Sequence, residues 1–237
     1  DFAKEGEVNY NTHISEIKEG DLVLCRLTVP LVKLHMKLLS DNKPSKVTGL
    51  AIGRELISIL NDYKTDNINE IISQLYVGLF DTWDSIAKIN QCSLKDVVCE
   101  PLIMEEYDKI LAIQAVSEGI TNKQEVINRL NDIFVSDIET DDNDVITNDL
   151  IHLSTVHRAK GLECDNVFIL CPSLMPSKLA RVEWEIESEK NIVYVAWSRA
   201  KNTLNFISEQ EFPPENGYSG IDEMYNELMK IKAIYSK

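Results

Sequence analysis

Short, nearly unbroken apolar runs constrain this 237-residue chain more than any other feature. Asp21-Leu-Val-Leu-Cys-Arg26 is one, bounded by Gly20 and Pro30. Asn166-Val-Phe-Ile-Leu-Cys-Pro172 is a second and Asn202-Thr-Leu-Asn-Phe-Ile-Ser208 a third, while Asp149 to Thr155 returns to strand character through Leu150, Ile151 and Leu153. Strands that are apolar on both sides need cover on both faces, which helices packed on either side of a parallel sheet provide. A helical pattern over Glu187 to Lys201 separates the last two runs, so the expected fold is α/β, a parallel sheet flanked by helices.

The remaining segments divide around that sheet. Residues 1 to about 20 read as a polar lead-in without sustained periodicity. Leu31 to Leu39 has helical spacing, and Pro44 marks a turn before a short strand at Lys46-Val47-Thr48. From about Asn61 to Asn148 strand signals vanish and apolar faces at helical spacing follow one another: Ile68 to Phe80, Trp83 to Ile89, Pro101 to Val116 and Gln124 to Phe134. Asn122 is placed to cap the last of these, and Pro101 suits a first helical turn. The acidic stretch Asp137 to Asp144 does not match a calcium-loop spacing and reads as a solvated linker. The division expected is therefore 1-60 with 149-237 as one sheet-based domain, interrupted by an all-helical insertion at 61-148.

Two motifs carry chemistry. Leu153-Ser-Thr-Val-His-Arg-Ala-Lys-Gly-Leu-Glu163 and Asn191-Ile-Val-Tyr-Val-Ala-Trp-Ser-Arg-Ala-Lys201 resemble, in order and separation, the fifth and sixth motifs of the UvrD/PcrA/Rep group of superfamily 1 DNA helicases. The resemblance implies a RecA-like (P-loop NTPase type) motor domain, called 2A, with a reduced helical counterpart of the family's 2B insertion. In such motors ATP sits between two RecA-like domains, and the second domain senses the terminal phosphate. A guanidinium suits that task because it stays charged and forks onto phosphate oxygens. The resemblance gives Arg199 the role of a finger stabilising transition-state charge. It puts Gly161 where backbone approaches a ligand closely, and Glu163 on the ribose and phosphate side of the nucleotide. Thr155 and His157 map onto positions that touch the single-stranded DNA backbone. Read structurally instead, Arg199 would be half of a surface ion pair. Ile192, Tyr194 and Val195 read as core residues of an amphipathic helix.

A third likeness lies upstream. Family members carry a strand ending in Arg-x-Asn, then a helix, a short strand with a Gly, and another helix; here the counterparts are Arg26-Leu-Thr28, Val47-Thr-Gly49 and Ile52-Gly-Arg-Glu-Leu-Ile57. Arg26 and Thr28 thus join the expected DNA contacts, with Thr28 standing where the family has an Asn that reaches DNA.

Other motor parts are missing from this sequence. It has no G-x-x-x-x-G-K-[ST] loop to cradle phosphates, no acidic pair closing an apolar strand, and no Asn-Tyr-Arg-Ser element with an adenine-stacking tyrosine. Ile221-Asp-Glu-Met224 has suitable letters but lies in a polar helical stretch. The chain therefore reads as a fragment beginning after those elements, with ATP and Mg2+ held only in the intact protein and none expected on the fragment.

Composition refines the expected partners. Net charge is −15, with 39 acidic against 24 basic residues, the wrong sign for gripping nucleic acid by phosphate neutralisation alone. Single-stranded DNA should therefore bind weakly here and share its contacts with the N-terminal motor domain of the same protein. Five scattered cysteines, without a C-x-x-C pair, read as reduced thiols. No run suggests a membrane span or signal peptide, so the protein is expected in the cytoplasm. Asp62-Tyr-Lys-Thr65 spells the end of a RecB-like nuclease signature but follows a helical run and lacks the upstream carboxylates, so nuclease chemistry is set aside. Two functions stay open: the C-terminal part of an ATP-dependent 3′-to-5′ helicase, or a regulatory or scaffolding module that keeps the fold without the motor.

Overall fold

The apolar runs fold as interior strands of a single sheet. The structure, a computed structural model, describes residues 5–134, 146–215 and 217–235. Its strands are β1 (Glu7–Thr12), β2 (Leu22–Cys25), β3 (Ser45–Val47), β4 (Ile151–Thr155), β5 (Cys164–Ile169) and β6 (Ala200–Ile207). They lie in the order β1-β6-β5-β2-β4-β3, with every neighbouring pair parallel. In register, Val23 stands between Leu153 and Phe168.

Alternation along these strands feeds two cores. Val23, Cys25, Leu153 and Phe168 point into one, while Leu22, Leu24, Val167 and Ile169 point into the other. The period of two sends neighbouring residues to opposite faces, and both faces are buried because both sets are apolar. The first face is covered by α1 (Thr28–Ser40) and α2 (Leu50–Asn61), and beyond them by α3 (Ile68–Ile89), α4 (Pro101–Val116) and α5 (Lys123–Phe134). The second is covered by α6 (Glu183–Trp197) and by the turns around Val156 and Ala159. A final helix, α7 (Ile221–Tyr235), packs on α3.

The inserted helices share the core of the sheet's first face. Trp83, Ile113 and Leu130 are buried in the same cluster as Val23 and Leu31. Asn67 caps α3 through the N–H of Asn69, and Asn122 caps α5 through those of Gln124 and Glu125. Their starts are tied together, Ile68 N–H to Thr121 O and Lys123 N–H to Asp66 O. Pro101 occupies the first turn of α4, where its missing N–H costs nothing.

Several boundaries depart from the sequence reading. The lead-in is not structureless: Glu7–Thr12 forms the edge strand β1, paired with β6, and Tyr10 stacks on Phe206 at 5.1 Å. Helix α1 starts at Thr28 and not at Leu31, because Pro30 falls in the first turn, whose N–H groups have no intrahelical partner. The two stretches on either side of Asp81 and Thr82 are one 22-residue helix. Helix α6 spans Glu183–Trp197, four residues upstream of the expected Glu187 to Lys201. The Glu185 carboxylate accepts the N–H groups of Arg181 and Val182 and so sets its start, and the chain must turn at Ser198 to enter β6. The acidic stretch Asp137 to Asp144 lies outside the described residues.

Candidate functional site

The sheet's connections change direction between β2 and β5. From β2 the chain runs through α1 to β3 on one side, and from β5 through α6 to β6 on the other. In open α/β sheets the crevice at the carboxyl ends of such a strand pair is where ligands bind. A cavity of about 460 Å³ lies there, and Arg26, Thr28, Thr155 and His157 all line it. The structure thus brings together the four residues that the sequence reading assigned to DNA.

Each is positioned by local geometry. Arg26 follows the last residue of β2 and forks onto Glu189 of α6, with Nη2 to Oε1 at 2.8 Å and Nε to Oε1 at 3.2 Å. Burial alone would raise the pKa of Glu189, but the bonds and charge of Arg26 and the N–H of Ser177 outweigh it and hold the carboxyl below its usual value. Thr28 opens α1 and is buried. Thr155 ends β4, and its carbonyl accepts the N–H groups of Arg158 and Ala159, which throws His157 outward at the bend. Desolvation in the cleft and the charge of Arg26 lower the pKa of His157, with Glu189 opposing. The imidazole is therefore mainly neutral near pH 7.

The residues assigned to the nucleotide gather elsewhere, at the amino ends of β5 and β6. Arg199 lies past the end of α6, on the link into β6, and not within the helix as expected. Its Nε donates to Val195 O at 2.9 Å, Nη1 to Leu162 O at 3.2 Å and Nη2 to Ser198 Oγ at 2.9 Å. These are neutral acceptors, and among the described residues no carboxylate pairs with Arg199. The surface ion-pair reading therefore has no support. Two of its five N–H donors are left over. Leu162 sits between Gly161 and Glu163, so the three assigned residues are neighbours. Gly161 has φ +96°, which favours glycine, and a Cβ there would face open space. Glu163 is about half exposed and pairs with Lys201 at 3.7 Å.

Ile192 and Val195 pack on the second core, but Tyr194 does not belong to it: its side chain is 72% exposed. Trp197, half exposed, meets Phe206 edge-on. Tyr10, Phe206 and Trp197 thus form a contiguous aromatic group. The sequence reading also passed over Glu189, Asp108 and Tyr218 at the cavity. None carries a motif, and the only trace of Glu189 is its place midway along a helix that has to cover the sheet. Asp62 of the discarded nuclease tetrapeptide caps the end of α2, and no cluster of three metal-ligating side chains exists among the described residues.

A parallel six-stranded sheet with helices on both faces and a ligand crevice at its switch point defines an α/β protein of the RecA-like class. Residues 54–211, about two thirds of the chain, match the UvrD-like helicase C-terminal domain, and the chain belongs to that family, with a helicase-related role. The matched span holds β4, β5 and β6, while β1, β2 and β3 precede it and complete the sheet. No curated protein sequence matches the chain. Among the described residues no helix is long and apolar enough to cross a membrane.

Proposed function

We propose that this chain supplies the second motor domain of a cytoplasmic, ATP-dependent 3′-to-5′ DNA helicase. Residues 1-60 and 149-237 are its RecA-like body, and 61-148 a reduced 2B-like insertion. The observation that carries the reading is Arg199, a cation oriented by two backbone carbonyls and a hydroxyl but left without a counter-charge among the described residues. It is pre-set for a phosphate delivered from outside the chain. Gly161 and Glu163 border it and complete the nucleotide side, where Mg-ATP would be held mainly by the phosphate loop of the N-terminal motor domain. Arg26, Thr28, Thr155 and His157 form the DNA side at the opposite end of the sheet. The segment Thr155 to Glu163 and helix α6 both run between the two sides, so closure on ATP moves the DNA track as one body.

The test is DNA-stimulated ATP hydrolysis and strand translocation by the protein that carries both motor domains, with and without Arg199→Ala. Loss of both on substitution supports the motor. Absence of either activity in the unaltered protein sinks it in favour of a non-catalytic module of the same fold.

A further inference from the structure

A trough of about 430 Å³ lies between α2, α3 and α4 and shares no lining residue with the cavity at the switch point. On α3 it is lined by Leu75, Gly78, Leu79 and Thr82, which recur at i, i+3, i+4 and i+7 and so form one stripe of the helix. Leu79 is buried at its base with Ile110 and Ile113 of α4, and Leu75 and Ile59 of α2 are half-buried around them. Gly78 is the unexpected member. It is exposed in the middle of a 22-residue helix, and a Cβ there would meet nothing. Glycine weakens a helix interior, and whereas Phe134 leaves no room for a Cβ on Gly53, no contact among the described residues asks for glycine at 78.

The shape and charge of the trough describe its occupant. From Leu75 to Thr82 the stripe runs about 10 Å at 1.5 Å per residue, two turns of helix, and a trough bounded by three helices accepts a fourth through the same ridges and grooves. A glycine on the stripe lets the backbone of that fourth helix come close. The lining is acidic. Its cation, Lys109, already bridges Glu55 and Glu105 at 2.6 Å each, while Asp62 and Glu106 have no ion-pair partner among the described residues. Burial raises the pKa of Glu106, with Lys109 opposing and Glu105 adding to the rise, so this carboxylate is short of positive charge.

We propose that this trough docks a basic amphipathic helix of a partner protein, its apolar ridge seated along Leu75 to Thr82, its backbone drawn in at Gly78, and its Lys or Arg side chains meeting Asp62 and Glu106. Helix-in-groove recognition of this kind reads apolar anchors at i, i+3 or i+4 and i+7, and the unpaired carboxylates select the sign of the flanks. The proposal does not depend on the motor reading. It gives the inserted helices a role of their own, as the place where a second protein is held.

Selection against this chain from a displayed library of helix-biased peptides of about 15 residues, long enough to hold a helix, tests it. Recovered peptides are expected to carry apolar residues at i, i+3 or i+4 and i+7 between Lys or Arg flanks. Synthesised with a fluorescent label, the best of them should bind the parent chain at least about tenfold more tightly than Gly78→Leu, whose side chain fills the trough. That variant should keep its melting temperature or raise it, because the space it fills is open. Asp62→Asn combined with Glu106→Gln should weaken binding severalfold and flatten its dependence on salt. An empty selection, recovery of acidic or aperiodic peptides, or basic ones that bind Gly78→Leu and the charge variant as tightly as the parent, overturns the proposal. So does a chain that dimerises by itself and loses the dimer in Gly78→Leu, since the occupant is then a second copy.

Discussion

Arg26 and Glu189 are 163 residues apart in the chain and form a forked ion pair that ties the end of β2 to the middle of α6. The Glu189 side chain is 9% exposed and that of Arg26 26%, so the pair is neither a solvated surface contact nor a wholly buried one. Removing one partner of a buried pair costs roughly 3–5 kcal/mol because the other charge is stranded. Arg26 can turn partly to water, so Glu189→Ala should cost less, about 2 kcal/mol. The pair should show coupling when Arg26→Ala is added in a double-mutant cycle. Additive losses on urea unfolding would mean the two side chains merely lie near each other.

Acid should act on the fold through two groups of opposite sign. His35 is buried, with Nδ1 2.9 Å from Ser45 Oγ and Nε2 without a partner among the described residues, and burial lowers its pKa to about 4. Its folded pKa is depressed, so its contribution is present above pH 6.5 and is lost as pH falls towards 4. Asp108, raised to about 6 by burial, runs the other way: its contribution is full below pH 3.8 and is lost as pH rises through 6. Each shift corresponds to about 3 kcal/mol at most. Between pH 7 and 4, His35→Gln should therefore lose less stability than the parent protein and Asp108→Asn more. Unfolding curves at pH 7, 5 and 4 that move in parallel for all three proteins would refute both assignments.

These groups also mark where sequence reading stops. The doubly apolar strands were legible because a short unbroken apolar run needs no knowledge of partners, and the motif residues because their spacing is local. β1 escaped because Asn9 and Asn11 are poor strand formers and the strand is mostly exposed, leaving no apolar run; the clue was Val8, Tyr10 and Thr12 at alternate positions. Arg199 was singled out by its motif, but its place beyond α6 depended on a turn at Ser198 that periodicity does not encode. Asp108 sits in α4 between the buried Tyr107 and Ile110, in a pattern that places it on no particular face. It meets the cavity together with Thr28 and Tyr218, 80 and 110 positions away along the sequence. Pairings over such distances are properties of the packed fold.

Two helical glycines should respond oppositely to alanine. A Cβ on Gly53 of α2 would lie 2.5 Å from Cβ of Phe134 and 2.8 Å from its Cγ, so α2 and α5 would have to separate. Gly53→Ala should destabilise by about 1–3 kcal/mol, as overpacking does. Gly78 of α3 has open space where a Cβ would go, and Gly78→Ala should stabilise by about 0.5–1 kcal/mol through the entropy of the unfolded chain. Thermal unfolding of both variants is sufficient, and a stabilised Gly53→Ala would show that the α2–α5 contact is looser than described.

Arg199 carries the sharpest expectation. Its guanidinium is fixed by Val195 O, Leu162 O and Ser198 Oγ, all neutral, so folding orients the charge without neutralising it. Truncation should leave the fold nearly intact, since the side chain is only partly buried and its acceptors can turn to water. Single-stranded DNA affinity should also change little, because Arg26, Thr28, Thr155 and His157 lie at the other end of the sheet. ATP turnover by the protein carrying both motor domains should fall about a thousandfold or more in Arg199→Ala, the range of other arginine fingers. Arg199→Lys should recover little of it, because an ammonium cannot keep three fixed bonds and still present a planar fork to phosphate oxygens. Turnover of Arg199→Ala within a few-fold of the parent, with DNA affinity unchanged, would remove this residue from the chemistry and return it to a purely structural link between α6 and the β4–β5 turn.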